Sequence, residues 1–142
     1  MDKNELKHWG HFKKRMWTVI ECGVAGNCFF YSILALIKIH NFRCDVPLFK
    51  THVALRKQVC NHIRDHQHEI IACDEPIMAL LGARKAGFLT RMLTEGTYVE
   101  YEIVCGFSHL AKIPVIVYSI HERDPMVTAC VLPCFSLFTL CR

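Results

Sequence analysis

Residues 27–39 place the strongest constraint on what this chain can fold into. Their apolar side chains fall on nearly every side of a helix rather than along one stripe: Phe29, Phe30, Ile33, Leu34, Leu36 and Ile37. A helix that is apolar on so many faces is normally buried in the middle of its domain. The sequence therefore predicts a central helix here, around which the remaining elements pack.

A cysteine stands at the start of that helix. The small residues Ala25-Gly26-Asn27 lead directly into Cys28, and a β-rich segment at residues 16–20 precedes them. This order predicts a strand, a turn and a helix with a thiol in its first turn. Unpaired backbone N–H groups and the positive end of the helix dipole favour the thiolate there. Because glycine before cysteine also occurs in plain turns, and most intracellular cysteines are inert core residues, the pattern alone leaves both interpretations open.

Chain length and composition limit the class of protein. The 142 residues suffice for one domain, which can bury roughly two-thirds of its unfolded surface. An apolar fraction of 52% makes disorder over most of the length unexpected, and a net charge of only +4, scattered along the chain, argues against a nucleic-acid partner. Met1 is followed by polar residues without the apolar core of a signal peptide, so a cytoplasmic or nuclear protein is expected.

The cysteines and histidines do not predict a metal site. Nine cysteines, an odd number at irregular spacings, are expected to be thiols in a reducing compartment. One group near the C-terminus has loose zinc-like spacing and lacks orienting carboxylates nearby: Cys130, Cys134, Cys141 and His121. A solvated helix surface explains His62, His66 and His68 better than a metal does.

Periodicity and turn residues predict the remaining elements. Helices are expected over residues 48–71, from Glu75-Pro76 to Gly82, over 84–93, and over 98–111 after a turn at 94–97. Strands are expected over residues 113–120, 126–132 and 135–140, the first of them covered on both faces. In the helix of residues 48–71 the charged side chains are expected to face water, namely Arg56, Lys57, Arg64 and Asp65.

Residues 125–141 carry no charge, which raises the question of a membrane segment. The embedded Pro133 and the presence of fewer than about 20 apolar residues argue against one. Two strands are the favoured interpretation, and no membrane partner is expected.

The segment Gly26-Asn27-Cys28-Phe29-Phe30-Tyr31-Ser32-Ile33 resembles the nucleophile motif of the ovarian-tumour (OTU) family of cysteine proteases. That motif usually reads Asp-Gly-Asn-Cys-Leu/Phe-Phe-Arg/Tyr-Ser/Ala-Ile. Three further pieces agree in order: Leu55-Arg56, Gly96-Thr97-Tyr98-Val99-Glu100 and Ile113-Pro114-Val115-Ile116-Val117-Tyr118. They are similar to that family's helix after the nucleophile, the segment opening the next helix, and a central strand. The resemblance covers roughly residues 14 to 120.

The resemblance implies a fold and a domain organisation. The expected fold is α/β (α+β) with papain-like, OTU-type architecture, in which helices flank a small central sheet and the last strands are incomplete. A single domain is expected over residues 1–142, with an N-terminal arm at 1–13 and a divergent or truncated part at 121–142.

The resemblance also assigns roles to individual residues. It makes Cys28 the nucleophile, and Gly26 and Asn27 the turn that stabilises the oxyanion. The family's histidine lies near the chain end and is usually followed by an aromatic residue, but this chain has no histidine after His121. His121 is therefore the late candidate for the base. Ala25 occupies the position of the motif's aspartate and cannot orient an imidazolium.

Three functions follow from these expectations. The first is a cysteine-type deubiquitinase that removes ubiquitin or a ubiquitin-like protein, with impaired turnover because the family's His and Asp are missing. The second is a catalytically inactive module that binds ubiquitin or another protein. The third is a cytosolic α/β domain whose Gly-Asn-Cys turn arose by chance, which the four ordered matches disfavour. The resemblance implies no cofactor.

Overall fold

The structure is a computed structural model, and it describes residues 25–40, 44, 46–72, 75–119 and 126–131. The helices are α1 (Cys28–His40), α2 (His52–His66), α3 (Ile77–Leu81), α4 (Lys85–Leu93) and α5 (Tyr101–Ala111). Single 3₁₀ turns span Ala25–Asn27 and Gly82–Arg84. The strands are β1 (Ile71–Ala72), β2 (Glu75–Pro76), β3 (Val115–Ser119) and β4 (Met126–Val131).

Helix α1 confirms the predicted helix after the cysteine, but its burial is one-sided. Phe30 and Ile33 lie in the core, packed with residues of α2 and α5. Other apolar side chains of α1 are exposed: Tyr31, Leu36 and Ile39. The prediction of a helix buried on all sides is therefore wrong. Helix α1 has more apolar side chains than the core covers.

Helix α2 begins at His52, four residues later than predicted, because Thr51 forms its N-cap. The Thr51 hydroxyl accepts a hydrogen bond from the Ala54 N–H at 3.2 Å, and the Thr51 carbonyl accepts one from the Leu55 N–H at 2.8 Å. Such a cap satisfies N–H groups that the first turn leaves unpaired. The helix ends at His66, since residues 67–69 form turns that lead into β1.

Helices α2 and α5 pack closely at the centre of the described core. A Cβ atom added to Gly106 of α5 would lie 2.3 Å from Ile63 Cγ1 of α2, so the absence of a side chain permits this approach. Nearly every residue of α5 is buried. The helix begins at Tyr101 rather than at residue 98, and it ends where Lys112 adopts a left-handed conformation with φ of 58°.

The predicted small central sheet flanked by helices is wrong. The described residues are predominantly helical, and their strands form two separate antiparallel pairs, β1–β2 and β3–β4, rather than one sheet. Glu75-Pro76, expected to open a helix, pairs instead with Ile71–Ala72, and α3 begins directly afterwards. The physical reason is local pairing, since each strand bonds to the strand nearest in sequence.

The pair β3–β4 confirms two strands that the sequence predicts over 113–120 and 126–132. Val115 pairs with Val131 and Ser119 with Met126, and a bulge interrupts the register between Val117 and Tyr118. Among the described strands β3 has a single neighbour, unlike the central strand that the resemblance implies. The predicted strands at 16–20 and 135–140 and the arm at 1–13 lie outside the described residues. None of the described helices has both the length and the apolar composition that a membrane crossing requires.

Three histidines form a stacked cluster where α2 meets α5. His62 Nε2 lies 2.8 Å from His109 Nδ1, and the His62 and His66 rings stack with centroids 4.3 Å apart. Burial, with the nearby His66, His109 and Lys112, lowers the pKa of His62 to about 4, against a small opposing effect of Asp65. The prediction of a plain solvated surface is wrong for His62, which packs against His109 of α5. His66 keeps 39% of its side chain exposed and His68 is exposed.

This cluster predicts a specific loss of stability in acid. Because the pKa of His62 falls from 6.5 to about 4 on folding, the unfolded chain binds the proton first as pH falls. The contribution of neutral His62 is complete above pH 6.5, declines below it and is lost as pH falls through 4. We expect His62→Gln to flatten the pH dependence of the urea unfolding midpoint in this range, and His68→Gln, at an exposed histidine, to preserve it. If the urea midpoint depends on pH with the same slope in wild type and in His62→Gln, the lowered pKa of His62 is not the cause of the acid sensitivity.

Candidate functional site

Cys28 is the first residue of α1 and carries a free thiol on a half-buried side chain. The 3₁₀ turn Ala25–Asn27 leads into it, as the predicted turn requires. The Ser32 hydroxyl donates to the Cys28 carbonyl at 2.8 Å, which ties this residue into the first helical turn. The thiol therefore lies in the first turn of a 13-residue helix, at the positive end of its dipole.

Gly26 places the backbone of this turn directly against the loop between α4 and α5. A Cβ atom at Gly26 would lie 1.9 Å from the Gly96 carbonyl oxygen and 2.3 Å from the Thr97 carbonyl carbon. Both neighbours are backbone atoms, which cannot rotate away as a side chain can. Only glycine fits this contact between segments 70 residues apart in sequence.

The Asn27 side chain holds the same contact by hydrogen bonds. Its Oδ1 accepts from the Gly96 N–H at 2.9 Å and from Arg56 Nη2 at 3.1 Å. The amide oxygen of Asn27 therefore fixes the turn in place. The oxyanion role that the sequence assigns to Gly26 and Asn27 concerns their backbone N–H groups, and it stays a prediction.

Arg56 is the buried centre of this arrangement, with 1% of its surface exposed. Nη1 donates to the Met92 carbonyl at 2.6 Å, and Nη2 donates to the Gly26 and Thr97 carbonyls, each at 2.9 Å. Its guanidinium carbon lies 4.7 Å from the centre of the Phe30 ring. Burial lowers the pKa of Arg56, but a guanidinium remains a cation at neutral pH. Among the described residues, Arg56 Nε has no hydrogen-bond partner.

The prediction that Arg56 faces water is wrong. Arg56 shares a helical face with Cys60 and Ile63, both buried, so its position in the apolar pattern was a usable signal. Its acceptors could not be identified from local sequence, because they lie 29 to 41 residues away along the chain.

A second group of side chains lies beside the thiol-bearing helix. His52 Nε2 lies 3.0 Å from Glu95 Oε1, and the His52 ring packs against the Tyr31 ring with centroids 4.5 Å apart. Neither His52 nor Glu95 is among the residues predicted from the sequence. No local spacing links two residues separated by 43 positions.

The structure thus brings three of the predicted site residues together: Gly26, Asn27 and Cys28. Ala25 lies in the backbone of the same turn. His121, the candidate base, lies outside the described residues, as do Cys134 and Cys141. Among residues 25–40, 44, 46–72, 75–119 and 126–131, no group of three or more His, Cys, Asp or Glu side chains is arranged to hold a metal ion.

Cys60 shows what an inert thiol looks like in this protein. Its side chain is buried, and burial raises its pKa to about 11 despite the opposing charge of Arg56. A protonated, buried thiol is a poor nucleophile. Cys28, half-buried at a helix start, is in a different physical setting.

Comparison of the chain with protein-family models, with curated proteins and with solved structures finds no match.

The contact at Gly26 can be tested by adding one methyl group. We expect Gly26→Ala to lower the free energy of unfolding by at least about 2 kcal/mol, because backbone atoms on both sides must separate. Gly87→Ala is the matched control, since its added Cβ has ordinary room 3.5 Å from Arg91 and lies within α4. That change should be neutral or stabilising by up to about 1 kcal/mol. Urea unfolding measures both, and equal effects would contradict the close approach.

Arg56 can be tested by a change that keeps its charge. Lysine cannot reach several carbonyls with a planar fork, so Arg56→Lys should cost about 2–4 kcal/mol of unfolding free energy. Arg64→Lys is the control, because Arg64 is exposed and, among the described residues, its ion pair is with the neighbouring carboxylate of Asp65 at 3.0 Å. It should change stability by less than about 0.5 kcal/mol. Thermal or urea unfolding measures both variants. If Arg56→Lys is as stable as wild type, the hydrogen bonds of Arg56 do not hold these segments together.

Proposed function

We propose that this protein is a thiol-dependent isopeptidase of the cysteine-type deubiquitinase class, with Cys28 as its nucleophile and impaired turnover. The observation that carries the proposal is the placement of the free, half-buried Cys28 thiol at the start of α1. The resemblance of residues 26–33 to the OTU nucleophile motif supplies the substrate class, which is ubiquitin or a ubiquitin-like protein joined to a lysine.

The chemistry requires a thiolate and donors for the oxyanion. The Cys28 sulfur attacks the carbonyl carbon that joins the ubiquitin C-terminus to the lysine amine, forming a carbon–sulfur bond. The carbon–nitrogen bond then breaks, the amine leaves with a proton, and water hydrolyses the thioester to restore the thiol. Backbone N–H groups near Cys28 are suited to the negative oxygen that forms during each attack.

The rigid turn supports this assignment. Gly26 and Asn27 are held by Arg56 and by the backbone at Gly96, so the peptide groups before Cys28 have a defined orientation before substrate arrives. Donors that need no rearrangement contribute most to stabilising a developing charge. We assign the activity to the cytoplasm or nucleus, where thiols stay reduced.

Ala25 is the reason for proposing impaired turnover. It stands where the motif has an aspartate, and its methyl side chain cannot orient a histidine. General acid–base catalysis typically contributes about 10²–10⁴-fold in rate, and an active site without a carboxylate at this position loses part of that contribution. The same observation supports a second candidate, a catalytically inactive module that binds ubiquitin through surface contacts.

A ubiquitin probe with a C-terminal electrophile separates the two candidates. We expect wild type to form a covalent adduct, Cys28→Ser to form none, and Cys60→Ala to behave like wild type because its thiol is buried and protonated. Intact mass and peptide mapping identify the modified residue. Non-covalent binding of ubiquitin without an adduct would favour the binding module, and neither binding nor labelling would reject both.

A further inference from the structure

A histidine and a carboxylate outside the predicted site form a pair that is linked to residues close to the proposed nucleophile in sequence. His52 is the first residue of α2, and its Nε2 lies 3.0 Å from Glu95 Oε1. The His52 side chain is 20% exposed and that of Glu95 is 60% exposed. The pair is therefore open to solvent on the Glu95 side.

Two independent contacts place this pair near Cys28. On one side, the His52 ring packs against Tyr31, which lies three residues after Cys28 and so on the same face of α1. On the other side, Glu95 immediately precedes Gly96, whose N–H donates to the side chain of Asn27. Residues on both sides of Cys28 in sequence are thus linked to the His52–Glu95 pair, Tyr31 directly and Asn27 through Gly96.

The hydrogen bond to Glu95 also determines where His52 carries its proton. A carboxylate can only accept, so the Nε2 that faces Glu95 carries the hydrogen of the neutral ring. Nδ1 then keeps its lone pair. A neutral imidazole with one nitrogen held by a carboxylate and the other unprotonated is the arrangement that a general base requires.

We propose that His52, oriented by Glu95, is the base that activates the Cys28 thiol, a role that the sequence analysis assigns to His121. The inference rests on the proposed thiol chemistry and names a further residue for it. His52 Nδ1 takes the proton from the Cys28 thiol, and the sulfur forms its bond to the substrate carbonyl carbon. When the carbon–nitrogen bond breaks, the protonated His52 returns that proton to the leaving lysine amine. His52 then takes a proton from the water that hydrolyses the thioester and returns it to the Cys28 sulfur.

Cys28 and His52, both within the described part of the chain, form no hydrogen bond in this structure. The proposal therefore requires the His52 ring to turn from Tyr31 towards the thiol. This movement must be open to the free protein, and the resulting hydrogen bond tightens in the complex with substrate, as catalytic hydrogen bonds often do. In the part of the chain that the structure describes, the titratable groups in contact with His52 are Tyr31 of α1 and Glu95 of the α4–α5 loop.

The variants His52→Gln and Glu95→Gln test the pair, with His68→Gln as the matched control at an exposed histidine of the turn after α2. We expect His52→Gln to slow ubiquitin-probe labelling by about 10²-fold. Glu95→Gln should slow it by a smaller factor, and His68→Gln should leave it unchanged. Glutamine keeps a hydrogen-bonding side chain at both positions, so the loss reports on proton transfer rather than on packing.

A second measurement separates a base from a residue that only supports the fold. Alkylation of Cys28 by iodoacetamide, followed by mass spectrometry across pH, should reach half its maximal rate at higher pH in His52→Gln than in wild type. If His52 only supports the fold, His52→Gln should lower the urea concentration at the unfolding midpoint and leave the pH profile of Cys28 alkylation unchanged. Should His52→Gln fail to fold, Glu95→Gln, changed at an exposed carboxylate, still gives both readouts.

The outcomes distinguish the two proposals. If the probe labels Cys28 of the wild type and of His52→Gln at equal rates, the role of the pair is overturned and the isopeptidase proposal stands. Where His52→Gln does not fold, an equal rate in Glu95→Gln has the same meaning. If the ubiquitin probe labels nothing but the pH profile of Cys28 alkylation still depends on His52, ubiquitin is rejected as the substrate and the pairing of His52 with Cys28 is supported. A profile and a labelling rate that neither substitution changes would reject His52 as the base.

Discussion

The buried guanidinium of Arg56 is the interaction on which the arrangement around Cys28 depends. It donates to carbonyls at the turn before α1, at the end of α4 and in the loop before α5, three segments distant in sequence. Among the described residues no carboxylate accepts a hydrogen bond from Arg56. Peptide carbonyls, the Asn27 side-chain oxygen and the face of Phe30 surround the charge, and Glu95 attracts it from further away. A buried cation without such partners would be expensive, so each acceptor must stay in place for the fold to be stable.

That requirement fixes the position of the thiol. Gly26 and Asn27 contact both Arg56 and Gly96, and Cys28 follows them without an intervening residue. The start of α1 is therefore determined by long-range contacts as much as by its own sequence. The helix itself contributes no acidic residue in its first turn, so its amides and dipole are not neutralised by its own side chains. The hydrogen bonds of Arg56 and Asn27 therefore both stabilise the fold and position Cys28.

The parts of the structure that follow local rules could be predicted from the sequence, and the parts that depend on distant partners could not. Periodicity and turn residues place α1, α2, α4 and the pair β3–β4 close to their observed ranges. A charged residue within a helix normally faces solvent, so local rules place Arg56 in water, although it lies on the buried face of α2 with Ile63. The central sheet was expected from a resemblance, and the described strands instead pair locally as hairpins. His52 and Glu95 meet only after the chain has folded.

The two thiols near Arg56 show why location matters more than a nearby positive charge. Cys60 lies one helical turn from Arg56, and that cation does favour its thiolate, yet burial dominates and raises its pKa to about 11. Desolvation therefore outweighs an adjacent guanidinium inside this core. A reactive cysteine in this fold must instead lie where water and substrate reach it and where backbone dipoles supply the positive potential. Within the described residues, the half-buried Cys28 lies at the positive end of the α1 dipole, and Arg56 contributes indirectly, by holding the turn that positions Cys28.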